Sequence, residues 1–253
     1  MNLLRTGVME GVLKQPREQL FSVARDLGFD GVEIEVRNDA EALRQWTADA
    51  GMPISSLICG GDGAGDLDFN RRAAARYRLE RAIFDAAWLR VSGILWPMFE
   101  LTNLDDPAAV ERFLQDVAIC ARRAEAAGVV IAWENALNAA DTRILLEQVD
   151  SHAFQCYFDF ANAAKRGADP VAEMRQLEGL IYQVHAKNTQ KQHLDAAGVD
   201  LAACLIELQR QGYTGWIVLE TPSGDDPLAS ARHNLCVLRE TWGVLAGQST
   251  KTG

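Results

Sequence analysis

No stretch of this chain approaches the roughly 18 consecutive apolar residues that a membrane-spanning helix needs, so no such helix is expected. The amino terminus, MNLLRTGVME, has no long apolar run behind a basic segment, and no secretory signal peptide is predicted. Positive charge is in deficit, with 25 Lys and Arg against 35 Asp and Glu and a net charge of −10. That balance disfavours nucleic acid, anionic membrane surfaces and polyphosphate tracts as partners and favours small neutral or weakly charged ligands. Cysteine is sparse and odd in number: Cys59, Cys120, Cys156, Cys204 and Cys236 are scattered among apolar neighbours without a CxxC pair. This excludes a disulfide framework and implies a reducing, cytoplasmic compartment. There is no domain linker and no repeat beyond an alternation of strand-like and helix-like segments.

That alternation is the main positive signal. Strand-like runs fall at 2–8, 30–36, 54–59, 89–95, 129–134, 155–160, 181–186 and 215–220, eight in all. Amphipathic stretches lie between them, such as 16–27, with Leu20, Val23, Ala24 and Leu27 on one face, and 107–127. Asp106-Pro107, Asp169-Pro170 and Asp226-Pro227 each offer a helix cap followed by proline at the first helical position. Gly28, Gly51, Gly128 and Gly212 stand where helices should stop. With 253 residues, near the roughly 250 of a (β/α)8 TIM barrel, the chain is expected to form one such α/β domain over 1–246, with 247–253 as a carboxy-terminal tail. The glycine-rich segment 60–65 follows the third strand and reads as a loop able to close over substrate.

Four successive strands end on a side chain able to bind metal: Glu134 in VVIAWEN, Asp159 in QCYFDFAN, His185 in IYQVHAKN and Glu220 in GWIVLET. The spacing of one strand, loop and helix between each pair delivers them to one rim only in a closed or wound parallel sheet. Three carboxylates and one imidazole make an oxygen-rich cage suited to one divalent ion, Mn²⁺, Mg²⁺ or Co²⁺, with Zn²⁺ as an alternative. Neighbouring strand residues point to opposite faces, so Val32, Ile34 and Val36 are expected to face helices while Glu33 and Glu35 turn into the barrel. The same counting sends Trp133 and Phe158 outward.

The segments Gly28-Phe29-Asp30-Gly31-Val32-Glu33, Glu134-Asn135, Asp159-Phe160-Ala161-Asn162, His185-Ala186-Lys187-Asn188 and Leu219-Glu220 together resemble the xylose-isomerase-like TIM-barrel superfamily of sugar phosphate isomerases and epimerases. The resemblance covers nearly the whole chain. It implies Glu134, Asp159, His185 and Glu220 as metal ligands, Glu134 and Glu220 as the proton-transferring pair, and a homo-oligomer. Asn162 stands where many relatives carry histidine, and Ala140 and Lys191 stand where ketose 3-epimerases carry a glutamate and an arginine, so the substrate is left open. The DNA-repair branch of the superfamily binds three zinc ions through several histidines. This chain has only His152, His185, His193 and His233, two of them placed away from the mouth, which argues against that branch.

The chemistry expected of this set is proton abstraction beside a ketone, which needs a Lewis acid on the oxygens and a base beside the carbon. The expected function is therefore a metal-dependent isomerase or epimerase of a small keto sugar or sugar phosphate. The alternatives are a dehydratase or lyase on a cyclic polyol or keto acid, and an inactive sugar-binding partner subunit. Asn162, Lys187, Glu35 and Trp96, the last with Phe99, are the candidate substrate contacts. No arginine cluster marks the mouth, so a phosphate would have to rely on backbone amides of the last two loops.

Overall fold

A computed structural model describes residues 4–249. Its first half runs β1 (Arg5–Met9), α1 (Glu10–Leu13), α2 (Arg17–Leu27), β2 (Gly31–Glu35), α3 (Ala40–Ala50), β3 (Ile54–Ile58), α4 (Phe69–Leu89), β4 (Gly93–Pro97) and α5 (Pro107–Ala127). The second half continues β5 (Val130–Glu134), α6 (Ala139–Val149), β6 (Phe154–Asp159), α7 (Phe160–Lys165), α8 (Pro170–Gln176), β7 (Ile181–Ala186), a 3-10 turn (Thr189–Lys191), α9 (Leu201–Arg210), β8 (Trp216–Leu219) and α10 (Pro227–Ser249). The eight strands close in sequence order into a parallel barrel, with β1 hydrogen-bonded to both β2 and β8. The chain is thus a single (β/α)8 TIM barrel.

The helix punctuation works as its chemistry requires. Asp106, Asp169 and Asp226 each accept hydrogen bonds from backbone N–H groups at the start of α5, α8 and α10. Gly28, Gly51 and Gly128 close α2, α3 and α5 in the left-handed region, with φ of 99°, 61° and 68°. Helix α10 continues through Ser249, so the tail expected from residue 247 begins as helix, and its last four residues lie outside the described range. Residues 2 and 3 of the first predicted strand lie outside it as well.

The fourth strand differs from expectation. It starts at Gly93 rather than 89, because Leu89 completes the 21-residue α4 and Arg90 caps it with φ 59°. Trp96 is therefore inside the strand, paired in register with Trp133. Both indoles face outward and stack with Phe113 and Phe154 between barrel and helices, and Trp96 is only 2% exposed. The opposite parity fills the barrel with Leu95, Ala132 and Tyr157. Trp216 lies against Gly31, where a Cβ would stand 2.9 Å from the indole ring, so only glycine admits this packing. The Arg5 guanidinium stacks 5.1 Å from the same indole at the amino-terminal end of the barrel.

The glycine-rich segment after β3 is tied down. A Cβ on Gly61 would lie 2.5 Å from that of Met98, Gly63 N donates to Glu100 Oε2 (2.8 Å), and Arg78 donates to the Asp62 carbonyl. In the structure this loop is a packed shoulder of the mouth.

Candidate active site

Glu134, Asp159 and His185 lie within the carboxy-terminal ends of β5, β6 and β7, and Glu220 follows β8 by one residue. The barrel brings all four together: one ligand atom from each lies within 4.8 Å of every other. His185 Nδ1 is 3.2 Å from Glu220 Oε2 and 4.0 Å from Glu134 Oε1. Asp159 also caps α7, its Oδ1 accepting from the N–H groups of Ala161 (2.6 Å) and Asn162 (3.0 Å).

Two buried atoms at the centre lack a hydrogen-bond partner. They are Asp159 Oδ2 and His185 Nδ1, the latter because Glu220 lies near it but out of alignment. Burying such atoms unpaired is costly, and both point to a missing electrophile. The other ring nitrogen explains why Nδ1 is available: His185 Nε2 meets Glu33 Oε1 at 2.7 Å. With the Nε2 proton directed to Glu33, Nδ1 is the nitrogen that faces the cage, and loss of its proton would free a lone pair there, the arrangement that orients a metal-binding imidazole.

Glu33 is held in turn. Ser56 Oγ donates to its Oε2 at 2.5 Å and Tyr157 OH at 2.8 Å, while Gln183 Nε2 donates to Ser56 Oγ at 2.7 Å. All four side chains are buried. Strand parity places Glu33, Tyr157 and Gln183 inside the barrel, but the pairing of Glu33 with His185 across 152 positions has no local sequence signal.

The electrostatics follow from crowding. Burial first, and Glu134 next, push the Asp159 carboxyl up to about 6, against the pull of His185 and Lys187. Burial would also raise Glu220, but His185 and Lys187 prevail and hold it down to about 2. Burial lowers the affinity of His185 for a proton, yet Glu33, Glu134 and Glu220 outweigh it and carry its pKa well above the usual range. Without a metal, a proton on His185 and the Lys187 ammonium supply the positive charge that this acidic cluster requires. A divalent cation satisfies the same need, so donor set, orphaned atoms and charge all fit one.

The remaining predicted contacts divide. Asn162 Nδ2 donates to Glu134 Oε1 (2.8 Å), and Lys187 Nζ donates to Glu220 Oε1 (2.6 Å) and stands 3.6 Å from Asp159 Oδ2. Both therefore touch the cage. Glu35 does not turn inward: its side chain is 51% exposed and pairs with Arg37 (2.9 Å). At the last residue of β2 the pleat no longer confines it, and a carboxylate takes water and a guanidinium over an apolar interior. Trp96, buried on the helix side of β4, cannot wall the site, and Phe99 beyond the strand is 44% exposed. Ala140 is exposed in the first turn of α6, while Lys191 lines a cavity at the mouth. His193 and His233 meet edge to face and bond Asn234 and Asp195 respectively, apart from the cage.

Comparison with known proteins agrees with this architecture. The chain is 27% identical over 178 residues to a 2-epi-5-epi-valiolone 7-phosphate 2-epimerase from Actinoplanes sp., a match covering 66% of this chain and 65% of that protein's length. A solved L-ribulose 3-epimerase superposes with a TM-score of 0.89 at 20% identity, covering 99% of this chain and 98% of the other. The apo form of a 3-keto-D-glucoside 4-epimerase from E. coli gives 0.84 at 20% identity, over 94% and 100% of the two chains. At these identities the structural likeness is one of fold. Residues 21–241 match the family described as xylose isomerase-like TIM barrel, and the chain belongs to that family.

Proposed function

We propose that this protein is a divalent-metal-dependent epimerase or isomerase of a small keto sugar. The observation that carries the reading is the pair of buried atoms without a hydrogen bond, Asp159 Oδ2 and His185 Nδ1, inside a cage completed by Glu134 and Glu220. A divalent ion bound there would polarise a ketone oxygen and lower the cost of removing a proton from the adjacent carbon. Glu134, Asp159, His185 and Glu220 would hold it, with Glu33 fixing the imidazole.

Proton transfer falls to Glu134 and Glu220, which approach from β5 and from beyond β8. Asn162 orients the first by donating to Oε1, and Lys187 keeps the second ionised and able to accept a proton. One carboxylate removes the proton and the other returns it, on the opposite face for an epimerase or at the neighbouring carbon for an isomerase. The names of the Actinoplanes relative and of both structural neighbours are those of epimerases, which favours the first outcome. Among the described residues no helix is long and apolar enough to cross a membrane, and all five cysteines are unpaired, as suits a reducing cytoplasm.

Incubation with a panel of ketoses, ketose phosphates, inososes and hydroxypyruvate in D₂O, with and without Mn²⁺, Mg²⁺ or Co²⁺, tests this by NMR. Metal-dependent loss of one C–H signal, absent in Glu220→Gln, is expected. Absence of exchange at any carbon, with metal demonstrably bound, would refute the assignment.

A further inference from the structure

The chain contains only five lysines, Lys14, Lys165, Lys187, Lys191 and Lys251; the other 20 of its 25 cationic residues are arginine. Four of the five line one cavity of 670 Å³ at the barrel mouth, and the fifth lies outside the described residues. They reach it from separate places: Lys14 between α1 and α2, Lys165 at the end of α7, Lys187 after β7, and Lys191 at the end of the 3-10 turn. In a protein of net charge −10, this concentration is the opposite of what the overall composition favours.

Lys187 is committed to Glu220 and Asp159, and Glu220 is the one carboxylate lining the cavity among the described residues. Lys14, Lys165 and Lys191 make no ion pair with any described residue and are exposed at the rim. Lys14 and Lys191 sit in left-handed backbone, with φ of 52° and 55°, where glycine or asparagine would be easier. Backbone preference therefore does not account for lysine at either position. Thr221, 94% buried, lines the same cavity, and its hydroxyl Oγ1 has no hydrogen-bond partner.

We propose that this cavity holds the phosphate of a phosphorylated keto sugar or polyol, with Lys14, Lys165 and Lys191 neutralising it and Thr221 Oγ1 donating a hydrogen bond. A phosphate monoester carries about −1.5 to −2 at neutral pH and accepts several hydrogen bonds, a demand that three free ammonium groups and a hydroxyl meet. Lysine serves here as a flexible point charge. The loops after β7 and β8 supply Lys191 and Thr221, the side of a TIM barrel where phosphates commonly bind. The cavity adjoins the cage through Lys187 and Glu220, so a phosphate at its rim leaves the sugar chain directed toward the proton-transfer pair. The assignment rests on the proposed function in taking this mouth as the substrate site.

Isothermal titration of glycerol 3-phosphate and inorganic phosphate into the full chain, freed of divalent metal, tests it without turnover. Saturable binding by the wild type is expected, at least about tenfold weaker in Lys14→Met/Lys165→Met/Lys191→Met because charged hydrogen bonds are lost. Mn²⁺ affinity, measured separately, should change by no more than about twofold, since exposed charges are screened. Thr221→Val and the three single Lys→Met variants should each weaken phosphate several-fold, which keeps the test decisive if the triple variant does not fold. No binding by the wild type, or equal binding by the variants, overturns the proposal. Tighter binding of glycerate than of glycerol 3-phosphate also overturns it, in favour of a carboxylate ligand. Phosphate binding without proton exchange on any ketose or ketose phosphate would sink the proposed function alone, and exchange with no lysine-dependent phosphate binding would sink this inference alone.

Discussion

Glu207 in α9 and Asp159 at the end of β6 are both buried carboxylates, and they end at opposite extremes of acidity. Burial would raise Glu207, but Arg210 Nε (2.9 Å), Gln211 Nε2 (2.9 Å) and Arg175 Nε (3.0 Å) donate to its two oxygens and hold it down to about 2. Asp159 spends one oxygen on the start of α7 and leaves the other without a hydrogen bond beside two glutamates, and it is pushed up to about 6. The first cluster is internally complete, so its charge stabilises the fold. The second leaves an oxygen without a hydrogen bond, so its charge is a cost that a bound cation would relieve. Burial of an acid does not separate structure from function; the saturation of its oxygens does.

The comparison breaks most visibly at the proton-transfer pair. Glu134→Gln keeps the hydrogen-bonding shape beside Asn162 but removes a base and a ligand, so solvent exchange at saturating Mn²⁺ should fall by about 10²–10⁴-fold, measured by NMR. Exchange within threefold of wild type would remove Glu134 from the chemistry. A smaller effect is expected one layer back. Glu33→Gln should weaken Mn²⁺ binding by about 10–100-fold in calorimetry, because the imidazole loses the carboxylate that orients it. An unchanged affinity would make the contact with Glu33 merely structural.

Paired stability measurements sharpen the contrast through its sign. Glu207→Gln should destabilise the protein by about 1–3 kcal/mol, since two guanidiniums lose their charged partner. In metal-free protein at neutral pH, Asp159→Asn should instead stabilise by about 1–2 kcal/mol, because asparagine still caps α7 and no charge is left unpaired. At about 2–4 °C per kcal/mol for a chain of this size, thermal melts with and without Mn²⁺ resolve both. The same sign for the two variants would end the distinction.

The convergence of the four side chains was legible because strand ends in a barrel converge whatever the loops do: Glu134, Asp159, His185 and Glu220 needed only strand identity and parity. Parity also put Glu33 inside the barrel, but its partner His185 comes from the far side and has no local signature. The errors lie where periodicity is ambiguous or the pleat ends. The segment from Leu89 to Leu95, with Leu89, Val91, Ile94 and Leu95 apolar, is shared between the last turn of α4 and β4, and so short a pattern does not distinguish helix from strand. The strand's continuation to Pro97 is what puts Trp96 inside it, on the face turned toward Phe113. Glu35, two residues before Arg37 at the rim, obeyed solvent and a guanidinium rather than alternation. Lys14 and Lys165 come from loop and helix-end positions whose convergence only the closed barrel creates.

The subtlest separation of the two clusters is their response to pH. Glu207, with its pKa lowered from 4.5 to about 2, contributes stability that is complete above pH 4.5 and is lost as pH falls toward 2. Asp159, raised from 3.8 to about 6, runs the other way: its contribution is complete below pH 3.8 and is lost as pH rises through 6. A metal must displace the protons of both Asp159 and His185, so apparent Mn²⁺ affinity should climb by up to about a hundredfold per pH unit between 4.5 and 6. It should rise further above 6 because His185 also holds a proton that the metal must replace. The rise in melting temperature on adding a fixed excess of Mn²⁺ should therefore grow by a few degrees across that interval in wild type. Glu207→Gln should show the same Mn²⁺ increment at each pH on a lower baseline, because its cluster takes no part in binding. An increment that is flat from pH 4.5 to 6 would mean that neither Asp159 nor His185 gives up a proton to the metal, and that the two do not both bind it.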